Sequence, residues 1–236
     1  MGGDQFRFKQ FTIFQDRCAM KVGTDGVILG GWTDIKSADK ILDVGTGTGL
    51  IALMLAQRST AQIDAVEIDR DSHTQACENV ARSPWEARVK LYNISIQDYA
   101  IASPERYDLI VSNPPFFDNA YKAPKKARSL ARHGDFLSQS DLLSAAKTLL
   151  NPTGKLAVIY PTSEAIRFQE KAEQLGFFCD RRLLIQPTPK HPVKRIVMEL
   201  GMSPKIAEDI SLTIERERHI YTDDFIALIR GFYLKY

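Results

Sequence analysis

The chain has 236 residues, 44% hydrophobic and 25% charged, the make-up of an ordinary globular protein able to bury a sizeable core. Its formal net charge of +2 excludes a global field that demands a polyanionic partner, leaving local clusters as the electrostatic signal. Three cysteines, Cys18, Cys77 and Cys179, odd in number and without CxxC spacing, argue against disulfides and structural zinc and for a reduced compartment.

Residues 1–35 show no clean periodicity. Phe6, Phe8, Phe11, Ile13 and Phe14 partly alternate with polar residues, which predicts one or two short strands or a loop laid on the core. The charged first nine residues lack the apolar stretch of a signal peptide, and no apolar run in the chain reaches a membrane span. A cytoplasmic protein without membrane contact is expected. In Lys21-Val22-Gly23-Thr24-Asp25-Gly26 two glycines bracket Thr24-Asp25, a pattern for a turn opening a helix with Thr24 or Asp25 as cap. By itself it reads as a capped surface turn.

From Lys40 strands and helices alternate. A strand over 41–44 runs into Gly45-Thr46-Gly47-Thr48-Gly49, and Leu50, Leu53, Met54 and Ala56 follow at helical spacing. A strand over 63–68, a helix over 71–82, a break at Ser83-Pro84, a strand over 89–94, a polar turn over 95–98 and a strand over 107–111 come next. Such alternation predicts a doubly wound, mainly parallel sheet covered on both faces. After Phe116 a polar segment runs to Gly134, longer than usual α/β connections and therefore read as a functional loop. A helix over 138–150 stops at Asn151-Pro152, and a strand over 155–160 leads to a helix over 163–175 that ends at Gly176. Segments 177–186 and 194–200 are joined by a proline-rich connection with no room for a helix, so they are expected to be antiparallel neighbours. Residues 209–214 suit a strand or sheet edge, and 222–236 a final helix capped at Thr222. The chain shows no repeat or linker, giving a covering segment over 1–35 and one domain over 36–236.

The glycine run sits where a strand meets a helix, where glycines allow close backbone approach and the helix N-terminus offers amides and positive potential. Its spacing is neither the dinucleotide form nor a P-loop. Two acids strengthen it. Glu67, at the end of the second strand, is placed to accept from both hydroxyls of a ribose, and Asp98 to accept from an adenine amine. Ile68 is placed to pack on the adenine, and Asp43 to orient the loop or meet the cofactor's amino group. A dehydrogenase would use the same ribose contact.

Asn113-Pro114-Pro115-Phe116 discriminates, because two prolines fix the backbone and hold an amide and a phenyl ring at the same sheet edge. The combination resembles the class I S-adenosylmethionine-dependent methyltransferases of planar nitrogens, a Rossmann-like α/β fold with a seven-stranded sheet and an antiparallel C-terminal strand. That resemblance implies S-adenosyl-L-methionine as cofactor. It also implies that Asn113 and the Pro114 carbonyl accept from the exocyclic amine while Phe116 stacks on the ring. Orientation, rather than acid or base, then drives in-line transfer. No ligand cluster supports a metal.

Related motifs act on adenine, guanine and glutamine amide. Lys122, Lys125, Lys126, Arg128 and Arg132 lie between Asp118 and Asp135 with no acid among them. Arg181, Arg182, Lys190, Lys194 and Arg195 lie likewise between Asp180 and Glu199. Both runs suit phosphate contacts to RNA, Lys194 and Arg195 included, and Phe116 suits a splayed base. Together with Ser83-Pro84-Trp85 and the Phe232-Tyr233-Leu234 ending, the quoted motifs resemble the bacterial methyltransferases that place an N6-methyl group on adenine 37 of a valine tRNA. The resemblance spans nearly the whole chain and implies that Lys21, Thr24 and Asp25, with Asp43, Gly45, Gly47, Gly49, Glu67, Ile68, Asp98 and Asn113, line the cofactor. It implies a tRNA substrate and a monomer. Where some relatives carry Tyr, this chain has Phe116, which keeps stacking and drops a hydroxyl. Methylation of another RNA base or a protein glutamine, a nucleotide-binding oxidoreductase and a silent RNA-binding module are the other readings these motifs admit.

Overall fold

Strands apolar on both faces need cover on both sides, and the helices supply it. The computed structural model describes residues 3–18, 20–115 and 137–236. The chain opens with an antiparallel hairpin, β1 (Gln5–Arg7) and β2 (Thr12–Phe14), followed by α1 (Thr24–Trp32). Strands β3 (Lys40–Val44), β4 (Gln62–Val66), β5 (Val89–Tyr92), β6 (Tyr107–Ser112), β7 (Leu150–Pro161), β8 (Phe178–Gln186), β9 (Arg195–Gly201) and β10 (Glu208–Thr213) form one sheet. Their order is β10-β8-β9-β7-β6-β3-β4-β5. Within it β9 runs against both neighbours, and every other pairing is parallel. The expected antiparallel pair is β8 with β9. The expected seven strands become eight, because β10 adds itself in parallel to the β8 edge.

Helices α2 (Leu50–Arg58), α3 (Arg70–Ala81), α4 (Ile96–Ala102), α5 (Gln139–Leu149), α6 (Thr162–Gln174) and α7 (Asp223–Ile229) cover the faces. Alternate residues of each strand point to opposite cores. Ile41, Leu109, Val111, Ala157 and Ile159 pack with α1, α2, α7 and Phe8, Phe11 and Ile13 of the N-terminal segment. Leu42, Val44, Ile110, Leu156 and Val158 pack with α5 and α6 on the other side. Residues 3–35 are therefore part of the main core.

Four local expectations change. Helix α1 has Gly23, in extended backbone, at its N-cap with no side-chain cap, so Thr24 and Asp25 are its first residues. The polar turn over 95–98 begins α4: the N-cap Ser95 hydroxyl accepts from Asp98 N–H and donates to the Asp98 carboxylate. Strand β7 starts at Leu150, and residues 151–154 fall in a register shift between Tyr107–Leu150 and Leu109–Lys155, which absorbs Pro152. A Cβ on Gly154 would sit 2.8 Å from the Tyr107 carbonyl, so the return to pairing needs glycine. The C-terminal helix spans only seven residues after its Thr222 cap. The chain before it forms a small hairpin, β11 (Glu215–Glu217) with β12 (Ile220–Tyr221), and after it Tyr233 bridges to Phe8. Helix α6 ends as expected: Gly176 takes φ 82°, and Gly176 and Phe177 N–H return to Glu173 and Ala172.

Candidate active site

The parallel strands β3, β4, β5 and β6 all deliver their carboxyl ends to one edge, and the glycine loop turns there. Gly45 and Thr46 N–H both donate to the Val66 carbonyl, which ties the loop to β4. Gly45, Gly47 and Gly49 take φ of 70°, 56° and 81°. A side chain on Gly45 or Gly47 would meet no protein atom within 4 Å. Backbone conformation, together with open space on the outer side, accounts for glycine at both positions.

Asp43, fully buried at the end of β3, accepts with Oδ2 from the Thr46 hydroxyl at 2.6 Å and from Ala52 N–H at 3.1 Å. Its Oδ1 has no partner, and burial pushes the carboxyl up to about 7 against those hydrogen bonds. Glu67, one residue past β4, accepts from Gly47 N–H with Oε2 and from Asp69 N–H with Oε1, each at 2.9 Å. Burial raises its carboxyl above the usual range, and the same backbone donors oppose the rise. An open cleft lies beside these groups, with Gly45, Glu67, Ile68, Ile94, Ile96 and Gln97 on its walls. Three isoleucines beside one carboxylate make a slot for a flat, largely apolar ring with a polar appendage.

Asp98 is not on those walls; one carboxylate oxygen holds the Ser95 hydroxyl at 2.7 Å. Gln97 and the isoleucines at 94 and 96 are the lining residues that the sequence reading passed over. Their available signal was position: the turn leaving a third parallel strand faces the same crevice as the first.

Asn113 follows β6, and Ser112 Oγ donates to the Val44 carbonyl at 2.8 Å, fixing the exit of β6 against that of β3. Asn113 Oδ1 is buried without a partner. Gly26 of α1 crosses close by: a Cβ there would stand 3.9 Å from Asn113 Nδ2 and 3.1 Å from a Leu50 methyl. Gly26 of the entry motif thus lies beside Asn113, and Lys21 and Thr24 are exposed. Asp25 accepts from Arg195 Nε at 2.8 Å. Phe116, Lys122, Lys125, Lys126, Arg128 and Arg132 lie outside the described residues.

The second basic run is largely neutralised from elsewhere in the chain. Arg181 forks onto Glu199 at 2.6 and 2.8 Å and stacks over Trp32, and Arg182 forks onto Asp209. With Arg195 on Asp25, these three guanidiniums bind acids of the fold. Lys190 and Lys194 are exposed. Among the described residues no group of three or more His, Cys, Asp or Glu side chains is placed to hold a metal ion.

Residues 33–173 match the family model described as the methyltransferase small domain. A protein of Trichodesmium erythraeum named tRNA1(Val) (adenine(37)-N6)-methyltransferase is 64% identical, with both chains covered completely. One of the same name from Parabacteroides distasonis is 47% identical, again over the whole of both chains. The chain belongs to this methyltransferase family. Among solved structures, a predicted O-methyltransferase of Agrobacterium tumefaciens superposes with a TM-score of 0.65 at 18% identity, covering 88% of this chain and 96% of the other. That likeness shows the shared methyltransferase fold.

For a methyltransferase the site reads coherently. Its two unpartnered acceptors, Asp43 Oδ1 and Asn113 Oδ1, stand at the ends of strands paired through Asp43 and Val111. Buried acceptors without partners carry a desolvation cost of about 1–3 kcal/mol each, which a donor-bearing ligand relieves. The ammonium of S-adenosylmethionine offers such a donor to Asp43 Oδ1, the amine of a planar substrate offers one to Asn113 Oδ1, and the open glycine backbone leaves space for the cofactor. These residues fit the cofactor.

Proposed function

We propose that this methyltransferase uses S-adenosyl-L-methionine to methylate N6 of adenine 37 in a valine tRNA. The single observation that carries the chemistry is the buried, unpartnered Asn113 Oδ1 on a proline-stiffened turn beside the glycine loop. Bound there, the cofactor supplies an electrophilic methyl group on a sulfonium. Asn113 and the Pro114 carbonyl accept both hydrogens of the adenine amine, which directs its lone pair to one side. Holding the amine in that pose replaces acid–base catalysis with orientation. Phe116 stacks the base.

Glu67 accepts from the ribose hydroxyls, Ile68 packs on the cofactor's adenine, and Asp43 faces its ammonium. Asp98 retains one carboxylate oxygen for the adenine amine. Gly45, Gly47 and Gly49 let the backbone approach. Lys21, Thr24 and Asp25 close the outer side, so that residues 1–35 cover the cofactor; the Gly26–Asn113 approach supports this. Lys122, Lys125, Lys126, Arg128, Arg132 and Lys194 contact tRNA phosphates, with Arg195 reaching them only by leaving Asp25. The protein works in the cytoplasm as a monomer and without metal. Its free cysteines suit a reducing compartment, and no described helix is long and apolar enough to cross a membrane.

The test is incubation with total tRNA and labelled cofactor, followed by digestion and mass mapping. N6-methyladenosine at position 37 of valine tRNA is the expected product. Label in another RNA base, or in protein glutamine alone, overturns the assignment of substrate.

A further inference from the structure

Of the four primary amides buried among the described residues, three meet the N-terminal segment, at 1% exposure for Asn79 and Gln75 and 3% for Gln15. A core position filled only for packing would carry an apolar side chain, because an amide must find partners or lose stability. All three find them on the backbone of residues 3–22. Asn79 Oδ1 accepts from Phe14 N–H, and its Nδ2 donates to the Phe14 and Thr48 carbonyls, all at 2.9 Å. Gln75 Oε1 accepts from Arg17 N–H at 3.2 Å, and Gln15 Oε1 from Val22 N–H at 2.8 Å.

Thr48 belongs to the glycine loop and Phe14 to β2. One amide group therefore sets the loop against the N-terminal segment, with both of its hydrogens committed. Beyond that anchor the segment passes the site at two points. Burial, with the Glu67 and Asp69 carboxylates nearby, raises the Cys18 thiol, and Gly26 meets Asn113. Residues tied down at 14, 17 and 22 thus form a wall running from the ribose acid to the amine acceptor.

We propose that Asn79, seconded by Gln75, is a positioning residue for the methyl donor, holding this wall in register with the glycine loop. The inference rests on the cofactor reading above. It separates two functions: the wall governs the donor, while Asn113 follows β6, whose exit is fixed by the Ser112–Val44 hydrogen bond.

Three variants test this: Asn79→Ala, Gln75→Met and Gln75→Glu. The readouts are S-adenosylhomocysteine affinity by calorimetry, KM for each substrate, kcat at saturating cofactor, and Tm. Loss of a buried hydrogen-bonded anchor is expected to weaken cofactor Kd and KM by about tenfold or more in Asn79→Ala, with kcat and the tRNA KM within about threefold. Gln75→Met should shift cofactor affinity in the same direction, and Gln75→Glu, which keeps an acceptor for Arg17 N–H but loses the amide's donation to Glu78, should recover part of it. A lower Tm with unchanged cofactor affinity in Asn79→Ala makes the amide merely structural and overturns the proposal. Should that variant not fold, the Gln75 pair decides, and equal cofactor affinity in both overturns it. Wild-type protein that binds no S-adenosylhomocysteine removes the cofactor reading itself; normal wild-type binding with unaffected variants removes this inference alone.

Discussion

Thr46 donates its hydroxyl to Asp43 Oδ2 at 2.6 Å, and the other carboxylate oxygen of Asp43 is buried without a partner. The carboxyl is pushed up to about 7 by burial. A folded-state value above the ordinary one means that the native state holds the proton more tightly, so Asp43 withdraws stability as pH rises from about 4 to about 7. An ammonium beside Oδ1 favours the ionised form and releases that proton. Affinity for S-adenosylhomocysteine is expected to climb as pH rises towards and through about 7, then to level off. Calorimetry in buffers of different ionisation enthalpy should register proton release below the plateau. Asp43→Asn should bind weakly with a flat profile; a flat profile in the wild type refutes the Asp43 contact.

Gly47 supplies both a φ of 56° and the N–H that holds Glu67. In Gly47→Ala the left-handed backbone costs about 1–2 kcal/mol. The new methyl meets no protein within 4 Å, so it projects where the ligand approaches. A modest loss in denaturant midpoint with a loss of cofactor affinity of about tenfold or more is expected. Equal cofactor affinity would mean that the loop does not face the ligand.

Removing Asn113 deletes an acceptor that bonds nothing in the protein at Oδ1. Asn113→Ala should therefore keep its cofactor affinity and fold while kcat falls by about 10²–10³, the scale set by loss of one preorganised polar group at a reacting centre. Single-turnover rates with pre-bound tRNA measure this directly. Unchanged turnover would strip Asn113 of its role.

Arg181 and Lys194 should behave in opposite ways. Arg181 satisfies Glu199, which is fully buried and also accepts from Asp34 N–H. Arg181→Leu leaves that carboxylate short of a cation and should cost about 3–5 kcal/mol of stability, with no change in the salt dependence of tRNA binding. Lys194→Ala should leave Tm alone and lower the salt slope by about 1. A lower salt slope in the Arg181 variant would restore the basic run to RNA.

The difference between those two residues also explains what was readable in the sequence. The glycine loop and Glu67 were legible because each depends on local order: strand, turn, helix, then acid at the next strand end. The reversal at 187–194 was legible because prolines leave no room for a crossover. Charge neutralisation was not, since the partner of Arg195 is 170 residues away and those of Arg181 and Arg182 arrive only when β8 acquires neighbours. Asp98 stands in the expected stretch, and the serine three residues earlier engages one of its oxygens, a contact that spacing alone does not reveal. The three buried amides carried no recognisable pattern, because their partners belong to a segment without periodicity.

The reversed direction of β9 has a consequence for how such a chain can diversify. By doubling back, the chain brings the turn between β8 and β9 to the rim that holds the glycine loop, and the exit of β10 reaches that rim too. Strands β8, β9 and β10 form the flank of the sheet beyond β7, with β4 and β5 at the other. Diversification of that flank is constrained, because Arg195 is held by Asp25, Arg181 shares Glu199 with Asp34, and Tyr233 bridges to Phe8, so its strands change only together with the N-terminal segment.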